Sequence, residues 1–139
     1  MLTESITRKY TSTDEAALIH LWRKVFPNDP PHNAPKQVIA EKQAVDELIF
    51  VSYCADHLAA ACMAGYDGHR GWLYAVAVDP DYHRNGLGQS VVNYAVDVLK
   101  DLGCHKVNLQ IRSDNIEVQA FYDALGFAVE PRLSMCKHI

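Results

Sequence analysis

Residues 76–89 read VAVDPDYHRNGLGQ, and the fold turns on how that stretch is interpreted. It opens as the end of an apolar run, Trp72 to Val78 (WLYAVAV), whose aromatic and branched residues suit a strand. Asp79-Pro80 ends the run, because proline cannot donate to a ladder. Gly86 and Gly88 then stand directly before a helical pattern. Leu87, Val91, Ala95, Val98 and Leu102 recur at one-turn intervals as a single apolar stripe, with Gly103 as the capping residue. Lys106 to Ile111 (KVNLQI) reads as the next strand. Strand, glycine turn, helix and strand make a crossover unit, which implies two near-parallel strands joined with right-handed connection. A glycine turn at a helix start lets backbone approach a ligand while the first N–H groups point outward. Arg84 adds a cation with bidentate geometry for phosphate. The same glycines also suit a tight loop with no ligand.

Upstream, Leu48 to Cys54 (LIFVSYC), Leu58 to Tyr66 (LAAACMAGY) and the Trp72–Val78 run form a three-strand meander. A turn at Ala55–His57 and an Asp67-Gly68 hairpin separate them. The N-terminus reads as a strand, Ser5 to Lys9, and then a helix. Ser12, Thr13 and Asp14 are its candidate caps, and Leu18, Leu21, Trp22 and Val25 its buried stripe. Four prolines in PNDPPHNAP, residues 27–35, stop that helix near Phe26 and make a loop, after which Lys36 to Ala44 reads as a second helix. Downstream, Asn115 to Leu125 reads as a last helix ended by Gly126, and Phe127 onward as one or two closing strands. The expected architecture is α/β with a mixed sheet in a single domain spanning residues 1–139.

Composition narrows the function classes. The 139 residues carry 49% hydrophobic and 22% charged side chains, a globular balance. Thirteen basic against seventeen acidic residues give a net charge of −4, which argues against a nucleic-acid surface but permits a local basic pocket. No apolar run approaches the ~18 residues of a membrane span, and MLTESITRKY lacks the apolar core of a secretory signal. The expectation is a soluble, cytoplasmic protein with no membrane and no nucleic-acid partner. Cys54, Cys62, Cys104 and Cys136 form no close pair and the histidines are scattered. Free buried-type thiols and no metal site are expected. A P-loop is absent, and Val91 occupies the third glycine of a dinucleotide fingerprint, so neither ATP nor NAD is the expected ligand.

Two motifs together are more specific than either alone. Val76 to Gly88 (VAVDPDYHRNGLG) resembles the strand, proline turn and [QR]-x-x-G-x-[GA] loop of the GNAT superfamily, the acyl-CoA-dependent N-acyltransferases. Asp114 to Phe127 (DNIEVQAFYDALGF) is similar to that family's N-x-x-A-x-x-F-Y-x-x-L-G-F motif. The resemblance implies a mostly antiparallel central sheet with a splayed near-parallel strand pair, flanked by about four helices. It implies an acetyl-CoA-dependent N-acetyltransferase in which a primary amine attacks the acetyl carbonyl directly in a ternary complex. Backbone groups of Val76 and Val78 would pair with the pantetheine arm. The loop of His83, Arg84, Asn85, Gly86, Leu87, Gly88 and Gln89 would hold the diphosphate. Asn115 would hydrogen-bond the pantetheine region, and Tyr122 would protonate the leaving thiolate. Tyrosine and alkyl thiol pKa values are close enough for that transfer.

Three positions depart from the family pattern. His83 stands where Gln or Arg is usual, and Val118 where Ala is usual. Gln110 stands where members that acetylate protein N-termini commonly carry a base glutamate, and a glutamine cannot take a proton at neutral pH. No residue declares itself as the base; Tyr66 and Tyr74 are candidates for the substrate site, and a water relay serves as well. The expected acceptor is the amine of a small molecule or amino acid. A protein lysine or N-terminal acetyltransferase, and a non-catalytic acyl-CoA-binding sensor, are the alternatives. Homodimers are frequent in the family, and the sequence leaves a homodimer open.

Overall fold

The computed structural model describes residues 4–28 and 34–139. Residues 4–108 form one compact unit and residues 109–139 a second. The first unit is built on a five-stranded sheet in sequence order: β1 (Ser5–Lys9), β2 (Ile49–Cys54), β3 (His57–Tyr66), β4 (Gly71–Val78) and β5 (Val107–Asn108). All neighbours are antiparallel except β4 and β5, which run parallel and pair only at Gly71↔Val107 and Trp72↔Asn108. The mixed, mostly antiparallel sheet with one parallel pair is what the resemblance implies.

Strand β2 is buried on both faces because helices cover both. On one face, α1 (Glu15–Val25) and α2 (Pro35–Gln43) bring Leu18, Leu21, Trp22 and Ile39 onto Ile49, Val51, Leu58, Ala61 and Ala77. On the other, α3 (Leu87–Asp101) packs on β2, β3 and β4, with Tyr94 tilted against Phe50 at 5.4 Å between ring centroids. Gly71 sits under α3 so closely that a Cβ there would lie 2.8 Å from Cys104 Sγ and 3.0 Å from Leu99 Cδ1. The alanines of β3, which by propensity favour helix, make room for helices on both sides; tertiary packing overrides propensity here.

Helix α1 starts where Asp14 closes a capping box with Thr11. The Asp14 carboxylate is 2% exposed, grips Arg8 through two hydrogen bonds of 2.8 Å and accepts the Tyr53 hydroxyl at 2.6 Å. Burial pushes its pKa up, yet Arg8, Tyr53 and the Thr11 amide outweigh burial and hold it at about 2. The second unit carries α4 (Ile116–Ala124), capped by Asn115 Oδ1 accepting from the Val118 amide at 3.2 Å. No described helix is long and apolar enough to cross a membrane.

Several local expectations are corrected. The strand over 106–111 shortens to Val107–Asn108, and no strand forms from Phe127 onward. Val129, Leu133 and Met135 alternate in sequence but are exposed, so the apolar pattern there buries nothing. The hairpin is a four-residue loop, 67–70, in which Asp67 Oδ1 accepts from the His69 and Arg70 amides and only Gly68 has positive φ. The buried face of α3 runs through Val92 and Leu99 rather than Val98 and Leu102; Leu102 lies past the helix end and is exposed. Cys54, Cys62 and Cys104 are buried, but Cys136 is exposed because its segment packs into no sheet. Of the proline-rich loop, residues 29–33, with Asp29, Pro30 and Pro31, lie outside the described residues.

Candidate active site

The exit of β4 carries Val76 and Val78 and leads into residues 83–89. Between β3 and β4 the register passes from Met63↔Tyr74 to Ala61↔Ala77, so Ala75 and Val76 together oppose Cys62. This is a β-bulge, and Ala75 adopts φ +47° to make it. Alanine in the left-handed region is strained, and such strain gathers where backbone is shaped for a task. Among the described residues, β4 past the bulge pairs on its β3 side, and no strand pairs with the other edge of residues 73–78. Val76 and Val78 lie on that stretch.

The chain then turns at Pro80–Tyr82 and enters the glycine loop. The amides of His83 and Asn85 face inward, to Pro80 and Tyr82 carbonyls at 3.5 and 3.4 Å. Those of Arg84, Gly86, Leu87, Gly88 and Gln89 have no acceptor among the described residues; the first intrahelical bond is Ser90 N to Gly86 O at 3.0 Å. Arg84 and Gly86 both take positive φ, +75° and +73°, left-handed conformations of the kind found where backbone N–H groups form an anion-binding concavity. The α3 dipole adds partial positive charge at the same point. The Arg84 side chain is exposed and adds a full one.

A buried carboxylate fixes the turn. Asp79, 2% exposed, accepts from Lys24 Nζ at 2.8 Å, His57 Nε2 at 2.8 Å and the Asp81 amide at 3.0 Å. Burial raises its pKa, but Lys24, the Asp81 amide and His57 prevail and hold it at about 2, so it is ionised at neutral pH. Neither this cluster nor the bulge was anticipated from sequence. Asp79 beside Pro80 signals a capped turn, but nothing in the local sequence announces partners 22 and 55 residues away.

The remaining expected residues are distributed. Asn115 and Tyr122 belong to the second unit: Asn115 caps α4 with its Oδ1, leaving its amide nitrogen as donor. Tyr122 is buried edge-on between the rings of Phe121 and Phe127, at 5.0 and 5.5 Å. Tyr66 and Tyr74 are not brought together. Tyr66 pairs with Gly71 on the α3 face and donates to the Gly68 carbonyl. Tyr74 pairs with Met63 on the α1–α2 face, one residue before the bulge, stacked on Trp72 at 6.5 Å. Burial, then the charge of Asp67, raises the Tyr74 pKa. A cavity of about 350 Å³ lined by Lys9, Tyr10, Gln43, Asp46 and Glu47 opens at the β1 end of the sheet, away from β4. Among the described residues no group of His, Cys, Asp or Glu could hold a metal ion.

The sequence profile of the acetyltransferase (GNAT) family matches residues 15–127. An acetyltransferase of Sodalis glossinidius is 32% identical over 124 residues, which cover 88% of this chain and 87% of that one. The crystal structure of the ribosomal-protein-S18-alanine N-acetyltransferase from Escherichia coli superposes with a TM-score of 0.76 at 25% identity, covering 88% of this chain and 77% of that one. The fold also matches AAC(6')-Iy in complex with the bisubstrate analogue CoA-S-monomethyl-acetylneamine, with a TM-score of 0.85 at 17% identity over 99% of both chains.

Proposed function

This chain belongs to the acetyltransferase (GNAT) family as an acetyl-CoA-dependent N-acetyltransferase, and from that premise we propose that it acetylates the primary amine of a small molecule or amino acid. The observation that carries the site assignment is the edge of β4 at residues 73–78, unpaired among the described strands, running into a loop whose amides have no acceptor among the described residues. An edge strand offers alternating N–H and C=O groups, which suits the amides of a pantetheine arm. Val76 and Val78 supply those groups. The amides of Arg84 and of Gly86 to Gln89 donate to the diphosphate, and the exposed Arg84 guanidinium strengthens the grip. The residues fit a donor that is extended at one end and doubly anionic at the other.

Only a neutral amine attacks, and an alkylamine with pKa near ~10 is mostly protonated at pH 7, so a proton must leave first. A water relay past Tyr74 serves that step. The backbone at Ala75–Val76, displaced from the ladder by the bulge, provides an N–H donor for the charge that develops on the acetyl oxygen. A backbone donor needs no reorganisation as that charge grows. Tyr122 gives its proton to the departing thiolate, and Asn115, through its free amide nitrogen, steadies the pantetheine region.

A second reading, acetylation of a protein N-terminus, is favoured by the 25% identity to the ribosomal-protein-S18-alanine N-acetyltransferase. Against it, Gln110 has no carboxylate, and its Nε2 donates to Ser134 Oγ at 2.5 Å, so the side chain is engaged as a donor. The test is thiol release from acetyl-CoA across a panel of free amines, amino acids and peptides. Turnover confined to peptides would reject the small-amine reading. Tight binding of acetyl-CoA with no turnover on any acceptor would leave only a sensor.

A further inference from the structure

We propose that Asp79, His57 and Lys24 form a positioning clamp that sets the diphosphate loop in its binding shape, an inference that rests on the loop reading above. The clamp joins three elements at one point. His57 is the first residue of β3, Lys24 lies in the last turn of α1, and Asp79 is the residue that leaves β4. The Asp79 amide donates to the Ala59 carbonyl at 2.7 Å, which ties the exit of β4 to β3 from the backbone side. Its carboxylate draws in Lys24 and His57 from the other side and caps the amide of Asp81. The His57 ring also stacks on Tyr82, 4.7 Å between centroids and 16° from parallel. The Pro80–Tyr82 turn is therefore held by charge at Asp79, the residue before it, and by a ring at Tyr82, its last. His83 follows at once, and the open amides begin at Arg84.

Lys24 has a second duty. It also reaches Asp81 Oδ2 at 3.0 Å, so one ammonium sits between two carboxylates close to the place where a dianion is to bind. Without it, Asp79 and Asp81 would oppose an incoming diphosphate, and the buried Asp79 would lack its strongest partner. Because Lys24 belongs to α1, the clamp also connects the cofactor loop to that helix. None of the three side chains reaches ligand; they act through the loop.

A clamp on the diphosphate loop predicts selective damage. Dissociation constants for CoA and for S-acetylpantetheine, which lacks the diphosphate, are measured by NMR titration on the full chain and on His57→Ala, Lys24→Ala and Lys24→Arg. His57 and Lys24 side chains are 41% and 36% exposed, so their replacement leaves the core intact, and thermal melting confirms folding. The CoA constant is expected to rise about fivefold in each alanine variant, the size of one lost loop-ordering hydrogen bond, with S-acetylpantetheine unchanged and Lys24→Arg restoring affinity. His57→Gln, which keeps a donor but not the stacked ring, is expected to fall between. An unchanged CoA constant in both alanine variants, or equal weakening of both ligands, would overturn the clamp. Failure of the unsubstituted chain to bind CoA at all would instead overturn the loop reading beneath it.

Discussion

Replacing Gly86 with alanine separates the geometry of the chain from the geometry of the ligand. Gly86 is the residue before α3, at φ +73°, and a Cβ built there meets nothing within 4 Å. An L-residue in that conformation is strained by roughly 1–2 kcal/mol. Restricting the unfolded chain offsets about 0.4–1 kcal/mol of it. The net loss is about 1 kcal/mol, a fall in Tm of roughly 3 °C for a chain of this size. Gly68, at φ +90° in the β3–β4 hairpin with nothing within 4 Å of its Cβ, is a matched control. Gly68→Ala is expected to lose the same stability. The two differ in where they lie, since only Gly86 belongs to the loop whose amides have no acceptor among the described residues. CoA affinity, by calorimetry, is expected to drop about tenfold in Gly86→Ala and to stay unchanged in Gly68→Ala, a difference of about 1.4 kcal/mol. Equal CoA affinity in a folded Gly86→Ala variant, or equal weakening in both, would refute the loop as the diphosphate site.

Tyr122→Phe is expected to lower turnover tenfold or more with little change in CoA affinity, because it removes a proton and keeps the ring between Phe121 and Phe127; stopped-flow thiol release measures it. Asp14 should govern acid stability. Its folded pKa of about 2 lies below the ordinary 3.8, so its contribution is complete above about pH 4 and is lost as pH falls toward 2. That loss amounts to about 2 kcal/mol, and urea titrations of Asp14→Asn should show a flatter stability profile across this window, on a lower plateau. Gly71→Ala should cost about 1–3 kcal/mol by overpacking against Cys104 and Leu99, read as a lower urea midpoint, with CoA binding per folded molecule intact.

The parts of this molecule that were legible in the sequence are those specified by neighbours along the chain. Periodicity located α1 and α3, because each buries a face against the sheet. The glycine loop was legible because Gly86 announces a backbone conformation and the helix after it announces a row of donors. Features set by distant partners were not. Ala75 looks like any strand alanine, yet the register on its β3 side forces it into the bulge. Asp79 looks like a turn cap, and its ionic partners come from α1 and β3. The closing strands expected after Phe127 show the converse error: alternation at Phe127, Val129, Leu133 and Met135 supplies a pattern, but a strand also needs a partner to pair with.

The unpaired edge of β4 has a cost when nothing lies along it. Backbone groups kept vacant for one visitor are equally available to any extended peptide, including another copy of the same strand, and such edges seed aggregation. The bulge blunts the hazard, since a twisted ribbon makes a poor template for a straight one, and Pro80 stops it within a few residues. The protein should accordingly resist self-association best when saturated with its acyl donor, with the ligand serving as a sheath for the strand that recognises it.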